Sequence, residues 1–185
     1  MRLQLGTKLL MAVALFGLGI AGATADTPGA ATDAEIGQKL AHEVRMYPYY
    51  TIFDNIRLQV HNGQAELLGE VTQPWKKVDL GRIAQRLPGV TSVTNDLKVL
   101  PISDFDNRLR FQVARAIYRD PQLYRYGMGA LPSIHIIVDN GHVTLEGVVA
   151  SETDKNIAGL RANGAGLSFG AVTNNLRVEN APKRG

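Results

Sequence analysis

Histidine is the side chain best suited to proton transfer and metal binding near neutral pH, so its positions are the first to consider. The chain has four, at His42, His61, His135 and His142. Neither Asp nor Glu recurs beside them at the tight spacing of a metal-ligand set, and no partner is placed to make one a general base. The sequence therefore predicts no metal site and no catalytic histidine.

One pair of titratable residues, Asp139 and His142, flanks a predicted turn and could meet across it. Exposed pairs of this kind contribute little to stability and seldom form a site, so we interpret this one as a surface contact. The serines form no nucleophile elbow, and the glycines lie in predicted hairpins rather than between a strand and a phosphate-binding helix. The sequence predicts no catalytic residue, no cofactor and no enzyme.

The tyrosines are unevenly distributed along the chain. All six lie at the end of a predicted first helix or in the loop after it, at Tyr47, Tyr49, Tyr50, Tyr118, Tyr124 and Tyr126. One interpretation is that they cover the open edge of a small core, because tyrosine commonly buries its ring and leaves its hydroxyl in water. The other interpretation is an interfacial contact surface.

Arginines accompany the second group of tyrosines. Arg108, Arg115 and Arg119 are spaced by seven and four residues, which places them on one side of a helix, away from its apolar stripe. Arginine is attracted to anionic membrane surfaces, and tyrosine favours the headgroup level. The predicted lipid or partner contact residues are Arg108, Arg115, Tyr118, Arg119, Tyr124, Arg125 and Tyr126.

Two hairpins organise the elements that carry these residues. In residues 133–149, apolar side chains alternate on both sides of Asn140 and Gly141, and residues 55–71 repeat the pattern around Asn62 and Gly63. An Asn-Gly pair between alternating strands predicts a type I′ turn, which needs positive φ at both positions.

The two hairpins belong to two copies of one unit. Gly141 follows Gly63, and Gly147 follows Gly69, by the same 78 positions, and the next strand recurs with a shift of 79. Self-similarity at a fixed spacing indicates a tandem repeat. The predicted structural turn residues are Asn62, Gly63, Gly69, Gly89, Asn140, Gly141 and Gly147. We interpret Gly69 and Gly147 as places where a helix approaches the sheet closely.

Each copy has the predicted order α-β-β-α-β. Thr32 and Glu35 have capping-box spacing, and Pro74 suits the first position of a helix. The predicted buried stripe of that second helix is Val78, Ile83, Ala84 and Leu87. The fold class is α+β, with two tandem repeats that are each a small mixed three-stranded sheet carrying two helices on one face.

The N-terminus has the pattern of a secretory signal peptide. Arg2 and Lys8 precede an apolar run that ends in Ala23-Thr24-Ala25, and the run is shorter than a membrane-spanning anchor requires. The predicted organisation is a signal peptide at 1–25, a disordered leader at 26–31, a first domain at 32–100, a linker at 101–103, a second domain at 104–180 and a tail at 181–185.

Charge and cysteine content limit which cellular compartment and which partners are compatible with the sequence. Four of the 20 Lys and Arg residues and one of the 17 Asp and Glu residues lie outside the repeats, which leaves 16 of each within them. The folded part is therefore neutral, and the basic pI does not indicate nucleic acid. The absence of cysteine excludes disulfides and a cysteine-linked lipid. We predict a periplasmic protein that is not a lipoprotein and has no transmembrane segment in the mature chain.

A known family has this combination of glycines, helix and terminal strand. The pattern is Val60-x-Asn62-Gly63-x-x-x-Leu67-x-Gly69-x-Val71, then a helix, then Leu87-Pro88-Gly89-Val90-x-x-Val93-x-Asn95-x-Leu97-x-Val99. It resembles the BON domain, and a signal peptide before two copies resembles the osmotically inducible periplasmic proteins of that family.

The resemblance implies a non-catalytic envelope protein, and it leaves two hypotheses about the partner. One is an anionic phospholipid surface, contacted during envelope or osmotic stress. The other is an unfolded envelope polypeptide, held by a periplasmic chaperone or adaptor through an apolar patch or a sheet edge.

Overall fold

A computed structural model describes residues 31–129, 132–166 and 168–179. The predicted signal peptide, nearly all of the predicted leader and the predicted tail lie outside these residues. The described residues all belong to one compact unit. Within the described ranges, no helix is both long enough and apolar enough to cross a membrane.

The predicted order α-β-β-α-β occurs twice. The first repeat contains α1 (Asp33–Met46), β1 (Asn55–His61), β2 (Gln64–Val71), α2 (Pro74–Gln85) and β3 (Ser92–Val99). The second repeat contains α3 (Asp104–Tyr118), β4 (Ile134–Asp139), β5 (His142–Val149), α4 (Glu152–Asn163), β6 (Thr173–Asn174) and β7 (Arg177–Val178). A 3-10 turn, Tyr124–Gly127, lies in the longer loop of the second repeat.

Both sheets are mixed, which confirms the predicted α+β class. In the first sheet β2 is central, antiparallel to β1 and parallel to β3. In the second sheet β5 is antiparallel to β4 and parallel to β6 and β7. The prediction of three strands per repeat is wrong for the second repeat, because its last strand is divided into two short segments.

The hairpin turns have the predicted backbone conformation. Asn62 and Gly63 have φ of 50° and 74°, and Asn140 and Gly141 have φ of 50° and 79°. Positive φ at both central residues is the requirement of a type I′ turn, whose twist matches that of the flanking strands.

Gly69 and Gly147 are required for a different reason from the one predicted. A Cβ on Gly69 would overlap the carbonyl oxygen of Asn55, and one on Gly147 would overlap that of Ser133. These oxygens belong to the neighbouring β-strand or to the residue before it, not to a helix. Both glycines also have φ above 100°, which other residues rarely adopt. The predicted helix approach is therefore wrong at these two positions.

The helices bury the stripes that their sequences indicate, with one exception. Thr32 and Glu35 form the full capping box of α1, and Pro74 begins α2 as predicted. In α2, however, Val78 is 51% exposed, and the buried positions are Lys76, Leu80 and Ala84. Leu80 and Ala84 are four residues apart and face the sheet together, whereas Val78 lies off that row.

One asparagine in each repeat ties the last strand to the second helix. Asn95 donates to the Lys77 carbonyl at 2.8 Å, and Asn174 donates to the Lys155 carbonyl at 2.7 Å. A Cβ on Gly81 of α2 would meet the Asn95 amide at 2.7 Å, so the helix can approach only because glycine stands there. The Asn-x-Leu-x-Val pattern therefore marks a strand-to-helix clamp.

The two repeats contact each other along the β4 edge. The backbone N–H of Ile136 donates to the carbonyl of Ile52 at 2.7 Å, which satisfies an edge group of the second sheet. Tyr50 stacks on His135 with ring centroids 5.5 Å apart. The loop between α1 and β1 therefore covers part of the second sheet.

Candidate functional site

The predicted arginines lie together on the outer side of α3. Ser103 caps this helix by accepting a hydrogen bond from the Asp106 N–H at 3.2 Å, which fixes where the helix begins. Arg108, Arg115 and Arg119 are all exposed. The opposite side is formed by Leu109, Val113 and Ile117, which are at most 2% exposed. The helix therefore has a packed side and a basic, solvent-facing side, as its spacing indicates.

Tyr124 and Met128 extend the exposed surface beyond the end of α3. They are 55% and 64% exposed, respectively. Tyr124 also lines a groove of about 300 Å³ with Ile52, Tyr118 and Pro132. An aromatic ring with a polar hydroxyl therefore stands free near the end of α3.

Three of the predicted contact residues are held by the protein itself. Arg125 and Tyr126 both bind the Asp154 carboxylate, at 2.6 and 2.8 Å, and Asp154 is buried. The Tyr118 hydroxyl donates to the Ile134 carbonyl at 2.5 Å, and burial raises the pKa of that phenol. The predicted set therefore divides into four free residues and three that stabilise the fold.

Asp154 is the centre of this internal network. Burial by itself raises the pKa of its carboxyl, but hydrogen bonds from Tyr126, Ser151 and Gln122 outweigh burial and lower the pKa to about 2. The carboxylate is therefore ionised and fully bonded at neutral pH. No local pattern indicates an internal partner for Arg125 and Tyr126, because Asp154 lies almost thirty residues away in the chain.

The tyrosines of the first repeat differ in exposure. Tyr47 is buried, and its hydroxyl donates to the Asp79 carboxylate at 3.0 Å, as expected of a ring that covers a core. Tyr49, in contrast, is 57% exposed. Its ring meets Trp75 edge-on at 4.9 Å between centroids. Exposed aromatic surface therefore occurs in the first repeat as well, outside the predicted contact residues.

These aromatic side chains border a groove between the two repeats, here called the inter-repeat groove. Its volume is about 390 Å³, and it is lined by Pro48, Tyr49, Thr51, Phe53, Thr72, Gln73, Trp75, Lys76, Asn107, Arg110 and Phe111. Phe53 and Phe111 pack edge-to-face with centroids 5.2 Å apart. The lining includes two basic residues and no acidic one.

The two basic residues of the groove have different surroundings. Lys76 forms a buried ion pair with Asp54 at 2.6 Å and also donates to the Thr72 hydroxyl at 2.8 Å. Arg110 is 4% exposed and donates to the Val138 carbonyl and the Asn107 side chain. Within the described residues, Arg110 has no ion pair, and its Nε has no hydrogen-bond partner. Burial lowers the pKa of this guanidinium.

The histidines do not assemble into a site. His135 packs against Tyr50 between the repeats, and burial lowers its pKa. Asp139 lies opposite His142 in the hairpin register, as predicted, but its ion pair is with Lys98. Across residues 31–129, 132–166 and 168–179, no group of three or more His, Cys, Asp or Glu side chains could hold a metal ion.

Comparisons with known proteins bear on the repeats as a whole. The BON domain model matches residues 32–101 and 105–180. One solved structure, CdsD, a structural protein of the type III secretion system of Chlamydia trachomatis, is 16% identical with a TM-score of 0.31, over 77% of this chain and 60% of that one. The chain thus spans less than two thirds of that structure's length.

A second structure, of the C-terminal domain of CdsD from the same organism, gives similar values. It is 15% identical with a TM-score of 0.31, over 80% of this chain and 67% of that one. A TM-score this low supports no functional inference. No curated protein matches the chain.

Proposed function

Because this chain belongs to the BON domain family, with two tandem copies, we propose that it is a non-catalytic periplasmic protein that associates with anionic phospholipid surfaces during envelope or osmotic stress. The family is known to bind phospholipid membranes and is generally non-catalytic. The periplasmic location rests on the signal-peptide pattern of residues 1–25.

The exposed side of α3 is the observation that supports this proposal most. Arg108, Arg115 and Arg119 point away from the core on one rigid helix, and Tyr124 stands free near the helix end. Each arginine near an anionic membrane surface contributes about 1 kcal/mol, and tyrosine favours the headgroup level. Three arginines and one ring therefore supply a reversible attraction rather than insertion.

Co-sedimentation with vesicles tests the proposal. The purified protein should pellet with phosphatidylglycerol-containing vesicles at low salt, and less so as salt rises, because salt screens exposed charges. It should not pellet with purely phosphatidylcholine vesicles. Replacing Arg108, Arg115 and Arg119 together by Gln should abolish pelleting and leave the circular dichroism spectrum unchanged.

A matched triple variant separates this surface from net charge. Lys39, Arg45 and Arg86 are also exposed, and all three lie in the first repeat. Changing them together to Gln removes the same charge and should leave most of the pelleting intact. Equal losses from the two triple variants would show that only the overall charge matters.

The exposed apolar side chains of the first repeat favour a second candidate function. Met46, Tyr49, Trp75 and Val78 are between 43% and 64% exposed, and such patches commonly mark contact sites. A chaperone or adaptor would use them to hold unfolded envelope polypeptide. If the protein ignores anionic vesicles at low salt but suppresses aggregation of an unfolded envelope protein, this function replaces the first.

A further inference from the structure

We infer that the inter-repeat groove binds a single-chain anionic amphiphile, with its carboxylate or phosphate group beside Arg110 and the start of α2 and its chain against the aromatic walls. This goes beyond the proposed function, because the ligand is one detached molecule in a groove rather than a bilayer surface. The arginines proposed to face the bilayer do not line the groove.

The first support is the state of Arg110. A buried charge is costly unless it is paired, and Arg110 is 4% exposed with no ion pair among the described residues. Asp106, Asp54 and Asp139 act on it only through space, and its Nε lacks a partner. An anion in the groove would supply the missing opposite charge.

The second support is the start of α2, which lies in the same wall. Gln73 occupies the N-cap position but makes no side-chain cap hydrogen bond, and Pro74 has no N–H. In α4 the corresponding Ser151 does cap its helix. The N-terminus of a twelve-residue helix carries partial positive charge and backbone N–H groups that favour an anion. The Asp54 carboxylate binds the Thr72 N–H just before the helix, but no described side chain caps the first N–H groups of α2 itself.

The third support is the apolar character of the remaining walls. Trp75 is 43% exposed and Phe111 is 61% exposed, although burying an aromatic ring away from water is energetically favourable. A volume of about 390 Å³ lies in the range of small-ligand sites. The groove thus places Arg110 and the start of α2 beside an apolar wall, which is the complement of an anion attached to a short alkyl chain.

Fluorescence titration tests the inference directly, because Trp75 is the only tryptophan in the chain. Dodecanoate and dodecyl phosphate, each below its micelle concentration, should change the emission with a saturable one-to-one curve. Dodecyl maltoside and dodecyltrimethylammonium have the same chain without the anion, and they should bind at least about tenfold more weakly. Inorganic phosphate and acetate should have no effect.

Variants at the helix start separate ligand binding from stability. Gln73→Asp places a carboxylate where the ligand anion is proposed to lie, so it should weaken dodecanoate binding by about tenfold or more. The same change caps the helix and should not lower the melting temperature. Gln73→Ser provides a cap without the charge and should bind within about threefold of the original protein.

A second matched pair tests the aromatic wall. Phe111→Ser removes a groove side chain and should weaken binding, whereas Phe169→Ser removes an equally exposed phenylalanine outside the groove and should not. The inference is overturned if the neutral and anionic detergents bind equally, if Gln73→Asp binds normally, or if only inorganic phosphate binds. A saturable response to an unfolded peptide, with none to the alkyl anions, would assign the groove to polypeptide instead.

The titration of the groove can be interpreted independently of the proposed membrane association. Loss of vesicle pelleting in the variant lacking Arg108, Arg115 and Arg119, with normal dodecanoate titration, supports both proposals. Normal vesicle pelleting with no response to the alkyl anions overturns the groove alone. Titration without vesicle binding leaves the groove and overturns the membrane surface.

Discussion

Two buried charges at the same position of the two repeats have opposite signs. Lys76 is the third residue of α2, and Asp154, 78 positions later, is the third residue of α4. Lys76 pairs with Asp54 and Thr72, whereas Asp154 binds Arg125 and Tyr126. A carboxylate is favoured at a helix N-terminus and an ammonium group is not, so Lys76 depends more strongly on its partner.

The difference indicates what the fold requires at this position. A polar side chain there reaches the loop before the hairpin, and its own repeat supplies the group of opposite charge. Features that serve the backbone do not vary in this way. Asp33 accepts from the N–H groups of Asn62 and Gly63, and Asp106 accepts from those of the second turn. The turn N–H groups need an acceptor in both repeats, whereas either sign of charge can be paired.

Breaking the first-repeat pair should have the largest effect. Lys76→Met leaves the carboxylate of Asp54 buried without its cation, and we expect the free energy of unfolding to fall by about 3–5 kcal/mol. Unfolding in denaturant measures this loss of stability. Arg82→Met removes the positive charge of an exposed pair with Asp79, and it should lower the free energy of unfolding by less than about 1 kcal/mol. Similar losses in the two variants would contradict the importance of burial.

Substitution of the hairpin glycines should affect the two repeats equally. Gly69→Ala and Gly147→Ala each combine an unfavourable φ with overlap on a carbonyl oxygen, and each should cost more than about 2 kcal/mol. Gly170→Ala has φ of 110° with nothing within 4 Å of the new Cβ, so it reports the backbone strain alone. Its thermal unfolding should be less affected than that of the other two.

Acid should remove the contribution of Asp154 in the second repeat, with the smallest of the three effects. The folded pKa of Asp154 is about 2, below its ordinary 3.8, so this carboxylate contributes stability above pH 3.8. That contribution disappears as pH falls from about 4 to about 2, and we expect it to be on the order of 1 kcal/mol. Asp154→Asn should make the stability profile less steep between these pH values, because Asp33 and Asp120, whose pKa values are also lowered, still titrate in the variant. An unchanged slope would show that the carboxylate is not held as described.

The sequence determined the repeated architecture, because that information is local. Asn-Gly pairs specify their turns through φ, apolar periods specify which side of a helix or strand is buried, and the 78-residue shift relates the two copies. The exposed side of α3 was predictable for the same reason, since Arg108, Arg115 and Arg119 follow from helical spacing alone.

Only the tertiary structure decided which side chains are available for contact. Arg125 and Tyr126 look free in the sequence but bind Asp154, and Val78 looks buried but is exposed. The inter-repeat groove needs residues from α2, α3 and the loop before β1, which no local pattern relates. The physical reason is that secondary structure depends on neighbours in the chain, whereas the pairing of a charge depends on groups that folding brings to it from far away.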